Sequence, residues 1–220
     1  MLTQIYEIST GEEARAVSSL GVDHVGVLVG DGQFPRELAL SAAKAVARDI
    51  SPPARFCALF LTADIAMIEA WALELQPSIV HLGASADRLS PTDIADLKSK
   101  LPAFRIMRSV PVAGEESIAI AKSYDGIADF ILLDSYRAHD SKIGALGVTH
   151  DWRISRRIVE QVRTPVILAG GLGPDNVREA IRVVRPAGVD SKTRTDRDDG
   201  SHAKDIDRVS RFLEAARSEI

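Results

Sequence analysis

The stretch Val166-Ile167-Leu168-Ala169-Gly170-Gly171-Leu172-Gly173-Pro174-Asp175-Asn176-Val177 joins an apolar run, a glycine turn and a helix start. Two adjacent glycines let a backbone turn sharply and approach a ligand closely. Pro174 has a fixed φ suited to a first helical position, and Asp175 places an acid in the first turn. The unit reads as strand, turn, helix, with free N–H groups at the helix start where a phosphate can sit. A tight βα turn without a ligand reads the same glycine pair as well, so both meanings stay open.

Outward from this unit the same alternation runs through the chain. Apolar runs of strand length fall near residues 3–8, 24–29, 55–61, 79–82, 105–109, 130–134, 166–169 and 188–190. Helix-patterned segments fall near 11–20, 37–47, 65–75, 91–100, 115–123, 152–162, 174–184 and 203–216. Ser9-Thr10-Gly11-Glu12 and Ser90-Pro91-Thr92-Asp93 supply hydroxyls and acids where the first and fourth helices should begin. Repeated βα units with short connections imply parallel strands and right-handed crossovers. Eight of them with no spare strand predict one α/β domain over residues 1–220, a (βα)8 TIM barrel rather than an open doubly wound sheet. The longest irregular stretches, 135–151, 191–202 and 30–36, each follow a strand and are placed on the C-terminal face, where barrels carry their sites.

Composition fits that reading. The 220 residues are 45% hydrophobic and 26% charged, enough for a core without disulfides or a structural metal. A net charge of −4 gives no general attraction for nucleic acid or an anionic membrane surface. The N-terminus shows no secretory pattern and no apolar run approaches bilayer length, so a cytoplasmic protein is expected. Self-association through one barrel face is compatible with this architecture, although no residue argues for it.

Strand ends and the loops after them supply the candidates for chemistry: Tyr6, Glu7, Arg36, His81, Arg108, Asp134, Gly170, Gly171, Asp190 and the run Lys192-Thr193-Arg194. Asp134 ends an apolar strand, where a carboxyl can have a raised pKa and act as general acid or base; capping of the next loop is its other reading. Gly144 and Gly147, three apart, could wrap an anion with backbone N–H groups, and Asp151 suits a helix N-cap. His150, beside that cap, reads as a surface residue. Lys192 and Arg194 read either as an anion clamp or as a solvated patch balanced by Asp196, Asp198 and Asp199. The five histidines are scattered without metal-ligand spacing, the single cysteine, Cys57, sits in mid-strand as a structural thiol, and no dinucleotide fingerprint occurs. Acid–base chemistry with no cofactor and no metal is the expectation.

In their order and spacing, several of these motifs resemble phosphoribosylanthranilate isomerase, the (βα)8-barrel enzyme of tryptophan biosynthesis. They are Leu132-Leu133-Asp134, Gly144-Ala145-Leu146-Gly147 leading to Asp151-Trp152, the glycine stretch quoted above, Val184-Arg185-Pro186, Gly188-Val189-Asp190 and Lys204-Asp205. The resemblance implies Amadori isomerisation of a phosphorylated sugar amine by an acid aspartate and a base cysteine. Asp134 falls on the acid, Arg36 near an arginine that contacts the anthranilate carboxylate, and Gly170 and Gly171 on part of the phosphate cradle. With them, Gly144, Gly147, Asp190, Lys192 and Arg194 are the expected substrate or phosphate contacts.

Three departures stand out. The family's Lys-Ile-Cys-Gly-Ile is here Gln4-Ile5-Tyr6-Glu7-Ile8, so Tyr6 replaces the base cysteine. Val-Gln-Leu-His-Gly is Val80-His81-Leu82-Gly83, and the Ser-Ser-Gly phosphate loop is Lys192-Thr193-Arg194. A phenol is a poor base at neutral pH. Glu7 or His81 is therefore the expected substitute, with Glu7 aimed inward only if the first strand has already ended. A barrel that binds a phosphorylated ligand without turnover, and a lyase or epimerase on the same scaffold, are the alternatives.

Overall fold

The computed structural model describes residues 1–135 and 149–218. Its strands are β1 (Leu2–Ile5), β2 (His24–Val29), β3 (Arg55–Phe60), β4 (Ile79–Leu82), β5 (Arg105–Val112), β6 (Phe130–Ser135), β7 (Val166–Leu168) and β8 (Gly188–Ser191). The helices between and after them are α1 (Gly11–Ser19), α2 (Leu40–Ala47), α3 (Ile65–Leu75), α4 (Pro91–Lys100), α5 (Glu116–Ser123), α6 (Trp152–Gln161), α7 (Val177–Val184) and α8 (Ile206–Arg217). Each strand pairs in parallel with its neighbours in chain order, and β8 closes on β1 with Gln4 opposite Asp190. The result is the expected eight-stranded (βα)8 barrel.

Strand residues alternate between two apolar layers. Those facing out, such as Val25, Ala58, Val80, Ile106, Leu133 and Val189, pack under the helices. Cys57, Ile79, Met107, Phe130, Leu132, Ile167 and Ala169 fill the barrel interior with Tyr6. Burial on both faces explains why the strands read as continuous apolar runs rather than alternating ones. The helices meet this core with one stripe each. α7 buries Val177, Ala180, Ile181 and Val184, and α8 buries Val209, Phe212, Leu213 and Ala216, both at helical spacing. Among the described residues no helix is long and apolar enough to cross a membrane.

Helix starts follow the capping chemistry, with local differences. Thr10 and Ser90 each complete a capping box, the first with Glu13 rather than Glu12, and Asp151 caps α6. Helix α2 begins at Leu40 rather than near 37, because the Glu37 carboxylate accepts from the N–H groups of Gly32 and Phe34, both at 3.1 Å, and holds the loop. Helix α7 begins at Val177 rather than at 174. Asn176 closes the preceding turn, accepting from the Gly173 N–H at 2.8 Å and donating to the Gly171 carbonyl at 3.0 Å. Helix α8 begins at Ile206, where Asp205 caps it, rather than near 203.

The first strand is also shorter than its apolar pattern. It ends at Ile5, and Glu7 adopts a left-handed φ of 59°. That conformation costs a non-glycine residue on the order of 1 kcal/mol. The break frees Glu7 from strict alternation and lets it share the barrel mouth with Tyr6.

Candidate functional site

Inward positions at the strand C-termini open into one pocket. Its walls include Tyr6, Glu7, Arg36, His81, Ser109, Leu132, Asp134, Asp190 and Lys192, with Phe34 and Pro35 from the loop after β2. The pocket encloses about 730 Å³ of space free of protein atoms, part of it continuous with solvent.

One side of this pocket is neutral. The Tyr6 ring is buried against Gly26 of β2, where a Cβ would lie 2.3 Å from two ring carbons. The glycine is thus the space that admits the phenol. Tyr6 Oη lies 2.8 Å from Cys57 Sγ and 2.5 Å from His81 Nδ1, and His81 Nε2 lies 2.7 Å from Ser109 Oγ. One direction of donation satisfies every group: thiol to phenol, phenol to Nδ1, Nε2–H to serine. Burial, and then the nearby Arg108 cation, pull the His81 pKa down to about 3, so the imidazole is neutral. Burial likewise pushes the Cys57 thiol up to about 12 and the Tyr6 phenol well above its ordinary value.

Two carboxyls face the same space. Asp134 is the penultimate residue of β6, and burial raises its pKa to about 6 although the Ser135 N–H and hydroxyl both donate to Oδ1, at 2.7 and 3.4 Å. Its loop-capping reading and its raised pKa therefore coexist. Asp190, on β8, is raised well above the ordinary range by burial and then by the Asp134 charge. Gln4 Nε2 donates to Asp190 Oδ1 at 3.2 Å, and His24 Nδ1 holds the Gln4 carbonyl at 3.1 Å.

The opposite side is a chain of ion pairs. Arg36 grips Glu7 with Nε at 2.6 Å and Nη2 at 3.2 Å. Lys192 Nζ lies 3.4 Å from Glu7 and 3.2 Å from Asp196, and the buried Lys204 Nζ lies 2.5 Å from Asp196. Arg36, like Glu7, has a left-handed φ, of 68°. The pair thus joins two residues whose backbones are both held in a disfavoured region.

Of the residues singled out from sequence, Glu7, Arg36, His81, Asp134, Asp190 and Lys192 come together in this pocket. Gly170 and Gly171 lie at the end of β7 with φ of 82° and 63°. A Cβ on Gly170 would meet His150 Nδ1 at 2.9 Å and the Ser135 backbone nitrogen at 3.1 Å, so the turn requires glycine for space as well as for conformation. Arg194 does not join Lys192. It turns outward, packs on Gly173 and makes two 2.8 Å contacts with Asp175, because the short 3-10 turn Thr193–Thr195 carries it around the rim. Arg108 faces the helices instead of the pocket, donating to the carbonyls of Leu82 and Ala84. Gly144 and Gly147 lie outside the described residues.

Ser109, Gln4 and His150 were not evident as site residues. Ser109 and Gln4 are polar residues two positions from other inward side chains, Met107 and Tyr6, a period-2 signal that identifies their face. His150 is half-buried, bonded locally to Ser155 at 2.7 Å, and lies over the glycine turn, a proximity only the tertiary fold creates.

A closed parallel barrel with two carboxyls of raised pKa and an anion-competent cationic rim at its C-terminal mouth belongs to the barrels built for acid–base work on charged small molecules. Comparison with known proteins narrows that class. The family model for N-(5'phosphoribosyl)anthranilate (PRA) isomerase matches residues 3–215. The N-(5'-phosphoribosyl)anthranilate isomerase of Methanocella arvoryzae is 32% identical over 209 residues, covering 95% of this chain and 94% of its own. That of Afipia carboxidovorans is 33% identical over 219 residues, covering 99% and 90%. Among solved structures, phosphoribosyl anthranilate isomerase from Thermotoga maritima aligns with a TM-score of 0.82 at 25% identity, over 99% of both chains. One in complex with reduced 1-(o-carboxyphenylamino)-1-deoxyribulose 5-phosphate aligns at 0.80 and 24% identity, over 99% of this chain and 100% of that one, a likeness in fold. This chain belongs to the phosphoribosylanthranilate isomerase family.

Proposed function

We propose that this chain isomerises N-(5'-phosphoribosyl)anthranilate to 1-(o-carboxyphenylamino)-1-deoxyribulose 5-phosphate, a step of tryptophan biosynthesis. The observation that carries the reading is Asp134, a carboxyl on the pocket wall at the end of β6 whose pKa lies at about 6. In its protonated form it donates to the ring oxygen as the C1–O bond breaks, leaving an open-chain iminium ion. Glu7 then takes the C2 proton, the C–H electrons form the C1=C2 bond, and the iminium nitrogen regains its lone pair. The enaminol becomes the ketone when C1 gains a proton and the C2 hydroxyl loses one. His81 is a weaker candidate for base, since both ring nitrogens are engaged and burial keeps the ring neutral. The Gly170–Gly171 turn and Lys192 supply the phosphate seat, and Arg36 receives the anthranilate carboxylate.

The test is substrate turnover followed by loss of anthranilate fluorescence. Asp134→Asn and Glu7→Gln are each expected to lower kcat about 10²- to 10⁴-fold, the range for a lost general acid or base. Folded wild-type protein without turnover would overturn the reading. One observation favours a second reading, ligand binding without chemistry: the residue at the family's cysteine position, Tyr6, is only 4% exposed. Thermal stabilisation by sugar phosphates without exchange of substrate protons would establish it.

A further inference from the structure

Glu7 is held by the two cations that an anionic ligand needs. Its Oε2 accepts from Arg36 Nε at 2.6 Å and faces Lys192 Nζ at 3.4 Å, while Oε1 accepts from Arg36 Nη2 at 3.2 Å. A carboxylate has about four lone-pair sites, and three of these are directed at cationic N–H groups. The Glu7 and Lys192 side chains are only 11% and 9% exposed, so their attraction is weakly screened, and both line the pocket with Arg36. Behind them Asp196 and Lys204 continue the alternation of sign. Counted along that chain, three cations meet two carboxylates.

We propose that Glu7 is a ligand-released latch: one anionic group of the ligand takes Arg36, a second takes Lys192, and the carboxylate so freed turns to the ligand. A guanidinium binds a carboxylate in fork geometry, whereas an ammonium serves a phosphate as a point charge. The ligand class is therefore a molecule carrying a carboxylate at one end and a phosphate at the other. A ligand with one anionic group bears the whole cost of freeing Glu7 from both cations, which meet the same oxygen. Both Glu7 and Arg36 sit at left-handed φ, so the pair joins side chains from two strained backbone positions. The latch makes the site selective, because the first anion loosens the hold on the second cation. The use of the freed carboxylate as a base rests on the isomerase reading; the latch itself does not.

Two separate fragments test it. Isothermal titration of the full chain with anthranilate, with and without saturating inorganic phosphate, measures how strongly each anion assists the other. In wild type, phosphate is expected to tighten anthranilate binding about threefold to tenfold, a coupling of ordinary size. In Glu7→Gln anthranilate alone should bind about threefold to tenfold tighter than in wild type, since one weak neutral partner replaces an ion pair. The assistance by phosphate should then vanish. Glu7→Asn, whose short amide tolerates positive φ, must behave alike and covers the case in which the glutamine variant fails to fold. Unchanged or weaker anthranilate binding in both variants, or assistance that survives in either, overturns the latch. Turnover is read separately: absent wild-type turnover with intact coupling defeats the isomerase reading and leaves the latch standing.

Discussion

On the β3–β5 side of the pocket the polar atoms are neutral and mutually committed: Cys57, Tyr6, His81 and Ser109 form one hydrogen-bonded line. On the β8–β1–β2 side the polar atoms are charged and alternate in sign from Arg36 to Lys204. The neutral line is made within the buried interior, where an unpaired ion would cost several kcal/mol, so its groups hold their protons and stay put. The charged line runs from Arg36 at the mouth to the buried Lys204; each ion has a partner, and at the mouth a ligand's own anions can take that partner over. Rigidity and exchangeability are thus separated across a single cavity. Asp134 stands between them, buried enough to hold a proton yet on the pocket wall.

The largest way to break this contrast is Asp134→Asn. Besides the loss of turnover, wild-type kcat/KM should fall about tenfold per pH unit above pH ~6, as the acid ionises. Stability carries the opposite sign. The folded pKa, about 6, exceeds the unfolded value near ~3.9, so the folded protein binds the proton more tightly. The stability penalty is complete above pH ~6 and relieved as pH falls to ~4. Asp134→Asn should therefore stabilise the protein at pH 8 by about 2 kcal/mol and at pH 4 by far less, as measured by urea titration. Equal stabilisation at both pH values would remove the carboxyl from its intermediate place.

The neutral side is sharpened by a double-mutant cycle. Gly26→Ala puts a methyl group 2.3 Å from the Tyr6 ring carbons, and should cost about 1–3 kcal/mol as overpacking. In a Tyr6→Ala background the same change should cost much less, because the ring is gone. Additive effects would mean that the glycine serves the strand and not the phenol.

Why some of this was legible and some was not follows from the range of the interactions involved. Eight apolar runs between helix-patterned segments identify the barrel, because strand, helix and cap preferences are local. Asp134 at the end of Phe130-Ile131-Leu132-Leu133 was readable for the same reason. The end of β1 was not, since the backbone bonds that flank the left-handed Glu7, from Tyr6 N–H to Ser191 and from Ile8 N–H to Gly26, and its ion pairs with Arg36 and Lys192 all come from distant chain segments. The division of Lys192 from Arg194 was hidden too, because it depends on a 3-10 turn and on Asp175. Nor could the Tyr6–Gly26 fit be read, being a match of volumes across two strands.

Within the neutral line, His81 offers a smaller test. His81→Asn retains one acceptor and one donor and removes the titratable ring. Because the wild-type ring is neutral, kcat/KM should stay within about tenfold of wild type, and the pH profile between about 5 and 8 should keep its shape. Loss of a limb from that profile would make His81 the working base and move the chemistry to the neutral side.

The smallest effect is expected at Arg194, the cation that lies near the site in sequence and outside it in space. Its side chain is 40% exposed and its partner Asp175 is 69% exposed, so solvent screens the pair. Arg194→Ala should shift unfolding free energy by about 0–1 kcal/mol and leave KM within a factor of about three. Lys192→Ala removes a cation of the same sign only two positions away, but one that is 9% exposed and faces Glu7 and Asp196. It should raise KM well beyond that factor, because the phosphate then loses its point charge and Asp196 loses a partner. Measured side by side, the two variants ask whether proximity in the chain or burial in the pocket decides a cation's work. Comparable KM values for both would collapse the distinction between the rim's inner and outer charges.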